Sequence, residues 1–221
     1  MDFSNYKFRC SGLKNLMVNS RKKGEILSET SKTYLRDIFI NETYGRIKPE
    51  LKGPACTKGT MVESDTLDLI QQVAGLTYFK NSNHLENDFI KGTPDVILSD
   101  RVIDIKSSWD IWTFAAVNDE VAKHDYFYQI LGYMWLTGKE VGELNYGLVN
   151  TPDMIINDQQ YKLSFKFDEE EVKQFAKNYI FDDIDPKLRF KRFIFGYDLE
   201  AVEELKIRIV AAREYLNNLS L

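Results

Sequence analysis

Two aspartates and one lysine lie close together in the middle of the sequence, where two short strands are predicted. Asp95 begins the first of these strands, 95–98. Asp104 and Lys106 lie near the end of the second, 101–106. A tight turn between the strands would bring the two carboxylates together, because paired strands run side by side. Side chains alternate between the faces of a strand, so Asp104 and Lys106 are expected to point the same way.

Such a group of side chains predicts chemistry on a phosphate. Two carboxylates at close range repel one another unless a cation lies between them. Mg²⁺ suits the position, since it is held by a few carboxylates together with water and phosphate. Lys106 would then orient or help to deprotonate the attacking water and stabilise charge on the phosphate, which is phosphodiester hydrolysis. The alternative is a surface ion pair between Asp104 and Lys106, worth roughly 0–1 kcal/mol. The Pro94-Asp95 pair upstream favours the catalytic interpretation.

The elements around these residues predict an α/β fold with a central mixed sheet flanked by helices. Hydrophobic residues recur at helical spacing in several segments, and turn residues separate shorter, partly alternating ones. Helices are predicted at 11–18, 28–41, 59–74, 121–137, from 168, and at 199–219. Strands are predicted at 76–79, 85–90, 95–98, 101–106, 144–150 and 161–167. A polar connection is predicted over 44–58, and residues 1–221 are predicted to form one domain.

Composition narrows the class of protein. With 221 residues, 43% of them hydrophobic and 29% charged, the sequence is typical of a globular domain. The longest apolar run, 126–136, is too short to span a bilayer, and the N-terminus lacks a signal peptide, so a cytoplasmic protein is expected. Two cysteines suit a reducing compartment and are too few for a four-cysteine iron–sulfur cluster. The formal net charge of −5 does not exclude nucleic acid, because binding depends on local positive surface.

The central segment resembles a known nuclease signature. Pro94-Asp95 followed by Asp104-Ile105-Lys106 resembles the motif of the PD-(D/E)XK nuclease superfamily. The second acid is aspartate rather than glutamate, which the motif permits but which shortens the reach to a metal. The resemblance implies a metal site formed by Asp95, Asp104, the backbone carbonyl of Ile105 and Glu63.

Two flanking segments resemble the lambda-exonuclease/YqaJ-like and RecB-like members of that superfamily. Segment 58–65 resembles the helix that supplies a further active-site acid, which maps to Glu63. Segment 128–135 resembles the Gln-x-x-x-Tyr motif of the same group. Gln129 and Tyr133 would lie one helical turn apart, where both could hydrogen-bond a phosphate or a bound water.

The N-terminal segment resembles the opening of phage and prophage exonucleases. In that family, segment 8–13 contributes to the region that binds DNA ends, which would place Arg9 and Ser11 near a phosphate. Ser107 and Ser108 directly follow the catalytic lysine, so their hydroxyls or amides could also meet a phosphate. A role in the turn is equally open for these two serines.

Membership of this group would imply a restriction-endonuclease-like core and hydrolysis with two Mg²⁺ ions, for which Mn²⁺ substitutes. It would imply 5′-to-3′ digestion of duplex DNA from its ends, in phage-type recombination with a single-strand-annealing protein. Such nucleases can form a homotrimeric ring around DNA. A phage-encoded enzyme would act in the cytoplasm of a bacterial host.

Other interpretations remain open from the sequence. The same scaffold also serves structure- or sequence-selective endonucleases, and a DNA-binding protein without turnover is a third possibility, although every motif position is filled here.

Trp109, Trp112 and Phe114 follow the catalytic strand and could stack on bases, with core packing expected for at least two. Basic residues in 21–23 and 187–192 are candidates for contacts to the DNA backbone, and His84 is assigned no role.

Overall fold

The computed structural model describes residues 1–48 and 53–221. Its helices are α1 (Leu13–Leu16), α2 (Glu29–Tyr44), α3 (Pro54–Met61), α4 (Glu63–Ala74), α5 (Ile111–Ala116), α6 (Asp119–Thr137), α7 (Asp153–Leu163), α8 (Glu169–Ala176) and α9 (Leu199–Asn217). Its strands are β1 (Phe8–Arg9), β2 (Leu85–Glu86), β3 (Ile90–Gly92), β4 (Val96–Ile97), β5 (Arg101–Ser107), β6 (Val141–Gly147) and β7 (Phe190–Gly196). Short 3₁₀ helices lie at Cys10–Gly12, Lys177–Tyr179 and Pro186–Arg189.

The larger sheet has the strand order β4-β5-β6-β7 and is mixed, as predicted. β4 and β5 form the expected antiparallel hairpin, with Val96 opposite Ile103. β5 and β6 run parallel along their whole length, and β7 adds to β6 in the antiparallel direction. The parallel pair requires a crossover, which α5 and α6 provide.

Both faces of β5 are covered, because its side chains meet a different helix on each side. Ile103 and Ile105 pack with Ile70 of α4 on one face. On the other face, Val102 belongs to the main core together with residues of α6. A strand covered on both faces typically has a nearly continuous apolar sequence, so a charged residue at Asp104, inside the buried part of β5, is conspicuous.

Helix α6 lies unusually close to β6. A Cβ atom placed on Gly142 would lie 2.2 Å from Cγ2 of Ile130, so only glycine fits at this position. The helix begins where the Asn118 side chain accepts a hydrogen bond from the amide of Val121, and it ends at Gly138 in the left-handed conformation. These contacts fix α6 against the strand that neighbours β5.

A smaller sheet with the order β1-β3-β2 brings the N-terminus beside the central segment. β1 pairs in parallel with β3, which places Phe8 opposite Ile90 and Arg9 opposite Lys91. The predicted strand 85–90 is therefore two short strands, β2 and β3, joined by a turn at Asn87. Since β3 ends just before Thr93, this small sheet holds the N-terminal segment next to the predicted catalytic hairpin.

Several element predictions are confirmed and others are wrong. The predicted starts of α2 and α8 are confirmed, since these helices follow the capping residues Ser28 and Asp168, and Gly75 ends α4 in the left-handed conformation. The predicted helix 59–74 is two helices, since Pro54 is suited to start α3 earlier and the chain turns at Val62. Of the predicted connection 44–58, residues 49–52 lie outside the described residues and the last part belongs to α3.

Two of the predicted strands do not form. Segment 161–167 is the end of α7 and the turn after it, where Tyr161 and Phe165 pack edge to face with ring centroids 5.0 Å apart. Aromatic residues four positions apart suit a helix as well as an alternating strand, which explains the error. Segment 76–79 forms no strand, and only a single bridge between Lys80 and Val96 follows it. The predicted strand 144–150 is present as β6, displaced toward the N-terminus.

No helix within residues 1–48 or 53–221 is both long and apolar enough to cross a membrane. The two cysteines are free, Cys10 in the core and Cys56 at the surface of α3.

Candidate active site

A cleft of about 530 Å³ opens at the end of β5, between α3 and the segment that leads into α5. Three of the predicted catalytic side chains, Glu63, Asp95 and Lys106, line it, and Asp104 is buried behind them. The other residues around the cleft are Ala55, Cys56, Gly59, Thr60, Ile105, Ser107, Trp109, Thr113, Tyr126 and Tyr146. The cleft is therefore wide enough to admit a polar group to the catalytic residues.

Asp95 lies immediately before β4, with its carboxylate turned toward β5. Its Oδ2 atom accepts a hydrogen bond of 2.7 Å from the backbone amide of Ile105. Burial, followed by repulsion from the Asp104 carboxylate, raises the pKa of Asp95 to about 6, although the bond from Ile105 opposes this shift. The two carboxylates that the hairpin was predicted to bring together are close enough to interact strongly.

Asp104 is only 2% exposed. Its Oδ1 accepts a hydrogen bond of 2.9 Å from Nε2 of Gln129, and its Oδ2 lies 2.6 Å from Nζ of Lys106. The burial follows from the packing of α6 over β5. A carboxylate held this way has little freedom to turn, because each oxygen faces a fixed donor or cation.

Lys106 remains a cation in this arrangement. Burial by itself would lower the pKa of Lys106, but attraction to Asp104, and then to Asp95 and Glu63, outweighs burial and raises it. An ammonium group cannot accept a proton. Of the two roles predicted for Lys106, the geometry therefore favours orienting water and stabilising negative charge over deprotonating the water.

Gln129 and Tyr133 form one hydrogen-bonded unit with the buried aspartate. Nε2 of Gln129 donates to Asp104 and also to the hydroxyl of Tyr133, at 3.0 Å. The helical spacing of the two residues places them on one face of α6, as predicted. In this geometry Gln129 contacts the Asp104 carboxylate and fixes its orientation.

Glu63, the first residue of α4, lines the cleft but is not in direct contact with the two aspartates. Its Oε1 lies 2.8 Å from Nζ of Lys80, an ion pair that the sequence did not indicate. Its negative charge still contributes to the raised pKa of Asp95. Glu63 therefore faces the same cleft from the opposite wall.

The residues present fit a hard divalent cation. Asp104 Oδ2 is buried and makes no well-formed hydrogen bond, its near neighbour being the Lys106 ammonium, and the adjacent Asp95 has a raised pKa. Among residues 1–48 and 53–221, no three acidic, histidine or cysteine side chains are arranged to enclose a metal by themselves. Mg²⁺ typically takes only one or two carboxylates and completes its shell with water and phosphate. Two aspartates with the Ile105 carbonyl nearby suit that ion better than a soft metal.

A second cavity, of about 410 Å³, lies on the other side of Tyr133 and contains both N-terminal residues predicted to bind DNA. Arg9 and Ser11 line it, together with Cys10, His84, Lys91, Gly92, Thr93 and Tyr133. Nδ1 of His84 lies 3.2 Å from the hydroxyl of Thr93. Sequence reasoning missed His84, Lys91 and Thr93, because the β1–β3 pairing that assembles the cavity joins residues about 80 positions apart.

The two serines after the catalytic lysine occupy different environments. Ser107 lines the cleft, and its Oγ lies 2.6 Å from the hydroxyl of Thr66. Ser108 is fully buried, with its Oγ donating to the carbonyl of Asp110 and its amide donating to the carbonyl of Gly147. The structure therefore leaves Ser107 available to a bound phosphate and gives Ser108 the role in the turn.

The aromatic residues of the same segment separate into core and surface. Phe114 is buried and stacks on Tyr146, and Trp109 packs edge-on against Tyr179 at 5.2 Å. Trp112 is 61% exposed on α5. Core packing is confirmed for Phe114 but not for Trp109, which is half-buried and lines the cleft, and the side chain of Trp112 lies at the surface.

Some residues of the predicted basic clusters make contacts within the protein. Lys22 forms ion pairs with nearby glutamates. Lys191 donates to three carbonyls around the end of α5, and Arg192 lies 3.5 Å from Glu143. Lys191 therefore has a role within the fold, whereas Arg21, Lys22 and Lys23 are exposed.

Comparison with solved structures identifies close structural neighbours, whereas no protein-family model and no curated protein matches the chain. A phage related exonuclease from Haemophilus somnus 129PT superposes with a TM-score of 0.81 at 27% identity, covering 96% of this chain and 94% of that chain. An alkaline exonuclease (LHK-Exo) from Laribacter hongkongensis superposes with a TM-score of 0.66 at 13% identity, covering 97% and 89%. Its complex with dAMP gives 0.64 at 14% identity, covering 96% and 88%, and both of these comparisons show the fold alone.

The likeness to the Haemophilus somnus protein extends over nearly the whole of both chains, so it is not confined to one motif. The residues of the predicted signature also lie together. Asp95 accepts a hydrogen bond from the amide of Ile105, and Asp104 contacts both Lys106 and Gln129. Sequence motif, site geometry and whole-chain fold agree. The chain is thus similar over nearly its whole length to a phage related exonuclease, which supports the predicted resemblance to the lambda-exonuclease/YqaJ-like branch of the PD-(D/E)XK nuclease superfamily.

Proposed function

We propose that this protein is a Mg²⁺-dependent DNA exonuclease that hydrolyses phosphodiester bonds from the ends of duplex DNA in the 5′-to-3′ direction. The observation that carries the proposal is the buried unit of Asp104, Lys106 and Gln129 beside Asp95, open to a cleft. The likeness to the phage related exonuclease from Haemophilus somnus supports the same class of reaction.

The chain's own residues divide the work of hydrolysis among them. Asp95, Asp104 and the Ile105 carbonyl, with Glu63 from the opposite wall, are the groups that would hold two Mg²⁺ ions, with Mn²⁺ able to substitute. Bound there, the ions would supply an activated water and neutralise charge on the scissile phosphate. Lys106 orients the water and stabilises the negative charge that develops.

Gln129 keeps the metal-side carboxylate in one orientation. Its amide donates to Asp104 Oδ1, which directs Oδ2 toward Lys106 and the cleft. Partners of this kind typically change activity or metal affinity by about 10–100-fold when they are removed. Gln129 therefore belongs to the proposed machinery as an orienting residue.

The second cavity is the proposed site for the terminal 5′-phosphate. Arg9 and Lys91 contribute two cationic side chains, and Ser11 and Thr93 contribute hydroxyl groups. Such groups bind a phosphate by charge-assisted hydrogen bonds. Tyr133 lines this cavity and also contacts Gln129, so the end-binding site and the catalytic unit share a wall.

The remaining features of the proposal rest on the family resemblance. They are a homotrimeric ring around DNA, a single-strand-annealing protein as partner in phage-type recombination, and action in the cytoplasm of a bacterial host. Analytical ultracentrifugation of the purified protein tests the ring directly.

Digestion of linear duplex DNA, beside a covalently closed circle, tests the activity. Loss of only the linear DNA in Mg²⁺ or Mn²⁺, and none in EDTA, is the expected result. Asp104→Ala and Lys106→Ala should abolish this digestion, and full activity of either folded variant would contradict the proposed site. Cutting of the circle would identify an endonuclease, and binding without cleavage would identify a DNA-binding protein without turnover.

A duplex with and without a 5′-phosphate tests the proposed end-binding cavity. The phosphorylated substrate should be digested faster by the wild type, and Arg9→Ala should remove this preference. Arg46→Ala serves as a matched control, because Arg46 lies outside both cavities. Equal rates on the two substrates for the wild type would argue against a phosphate site in this cavity.

A further inference from the structure

Lys58, on α3, has no exposed surface although it is a lysine. Its Nζ donates a hydrogen bond of 2.9 Å to the backbone carbonyl of Trp109 and lies 5.2 Å from the ring centroid of Phe181. Among the ion pairs of residues 1–48 and 53–221, none involves Lys58. A buried lysine without a carboxylate partner is rare in proteins and needs an explanation.

The environment of Lys58 disfavours a charge. Burial lowers its pKa to about 8, and the attraction of Asp110 only partly opposes this effect. One carbonyl and one aromatic face stabilise an ammonium group much less than the water that it loses on burial. If this position required only packing, an unbranched apolar side chain would be more favourable there.

The bond from Lys58 joins the two walls of the catalytic cleft. Its neighbours Cys56, Gly59 and Thr60 on α3 line one wall. Trp109, which accepts the hydrogen bond, lines the other wall. The bond therefore fixes how far α3 stands from the segment that follows β5.

That segment also carries groups that face the proposed substrate. Trp109 lies three residues after Lys106 and two after Ser107, and all three line the cleft. The hydroxyl of Ser107 contacts Thr66, and Asp110 caps α5 through its bond to the amide of Thr113. A shift of the Trp109 carbonyl would thus be transmitted to residues on both sides of it.

We propose that Lys58 is a positioning residue, which sets the separation of the cleft walls and thereby the placement of Lys106 and Ser107 on the substrate. Its effect on cleavage rests on the proposed nuclease function, whereas its effect on the cleft wall does not. The ammonium group is retained for this contact, and folding would be at least as favourable without it.

Lys58→Met tests the proposal, since methionine fills a similar volume but has no donor. On linear duplex DNA we expect kcat to fall by about tenfold or more, since small misplacements in an active site have large effects. KM should change by less than about twofold, because the phosphate-binding cavity is not altered. Resistance to urea at neutral pH should equal or exceed that of the wild type.

Lys139→Met is the matched control. Lys139 also donates to a backbone carbonyl, that of Ser99 at 2.7 Å, but it is only half-buried and lies outside both cavities. Its kcat should equal that of the wild type. A Lys58→Met protein with wild-type kcat, or with kcat reduced only in proportion to lost stability, would overturn the proposal.

Hydrogen exchange tests the positioning role without any catalysis. Amides of residues 107–113 should exchange faster in Lys58→Met than in the wild type, and unchanged exchange would overturn the proposal even if the wild type cleaves no DNA. If Lys58→Met does not fold, Lys58→Gln keeps a neutral donor and replaces it in both measurements. For Lys58→Gln we then expect faster exchange and a smaller fall in kcat than for Lys58→Met. If Lys58→Gln shows wild-type exchange and wild-type kcat, the proposal is overturned.

Discussion

Replacing Asp95 with asparagine should make the metal-free protein more stable while abolishing its activity. Asp95 is partly buried beside the Asp104 carboxylate, and both burial and this neighbour raise its pKa to about 6. A raised pKa means that the native protein holds the ionised carboxylate less favourably than the unfolded chain does. Asparagine keeps the shape of the side chain and removes the charge.

The pKa of Asp95 gives the magnitude of this effect. The ordinary value is 3.8 and the native value about 6, so at about 1.36 kcal/mol per unit the upper bound is about 3 kcal/mol. Exposure of part of the side chain reduces that figure, and the weaker hydrogen bond from the Ile105 amide to a neutral oxygen costs about 1 kcal/mol. We expect Asp95→Asn to raise the free energy of unfolding by about 1–2 kcal/mol at neutral pH.

The effect should depend on pH in a defined direction. Because the native pKa lies above the unfolded one, Asp95 favours folding most below pH 3.8, and this contribution is lost as the pH rises through about 6. Wild type and Asp95→Asn should therefore be similar in stability at about pH 4 and differ most above about pH 6.5.

Urea denaturation in EDTA, at the two ends of this pH range, measures the effect. Asp100→Asn is the control, since Asp100 lies in the exposed turn of the same hairpin and its pKa is lowered by hydrogen bonding to Arg101. That variant should not become more stable at neutral pH. If Asp95→Asn is no more stable than the wild type there, the two carboxylates do not repel one another as inferred.

Adding Mg²⁺ should reverse the order of stability. An ion bound only by the native state stabilises it by about 2.7 kcal/mol at 100 times its Kd. The wild type should gain this stability, whereas Asp95→Asn should gain little because it lacks one of the proposed ligands. Equal stabilisation of both proteins by Mg²⁺ would place the ion elsewhere.

Three further changes test other parts of the structure. Gln129→Leu removes the donor to Asp104 and should lower kcat by about 10–100-fold, measured on linear duplex DNA, and an unchanged kcat would deny it an orienting role. Trp112→Ala should weaken binding of a single-stranded oligonucleotide by about 1–3 kcal/mol in a fluorescence titration, whereas Phe165→Ala, in the turn after α7, should not. Gly142→Ala should lower the free energy of unfolding by about 1–3 kcal/mol, because its Cβ would collide with Ile130, and wild-type stability in urea would show that α6 can move away.

Features determined by neighbouring residues could be predicted from the sequence. The β4–β5 hairpin depends on a turn between two apolar segments, and it places Asp95 against β5 as expected. The ends of α4 and α6 depend on single glycines, Gly75 and Gly138, and both were identified. Such signals are complete within a few residues, so no knowledge of the rest of the fold is required.

Features that depend on distant contacts could not be predicted. The burial of Asp104 results from α6 packing over β5, which the alternating pattern of one strand does not reveal. The ion pair of Glu63 with Lys80 and the pairing of Arg9 with Lys91 likewise join separate parts of the chain. The sequence could therefore predict which residues form the site, but only the structure shows what surrounds each of them.

The different environments of the two cysteines allow the wild-type protein to be labelled at one position. Cys10 is buried and its pKa is raised to about 12 by burial, so it is inert at neutral pH, whereas Cys56 is exposed and lines the catalytic cleft. A thiol reagent should therefore modify a single position without any mutation. A fluorophore on Cys56 would report when DNA enters the cleft, and a disulfide to a thiol-bearing oligonucleotide would hold that complex together long enough to determine its structure.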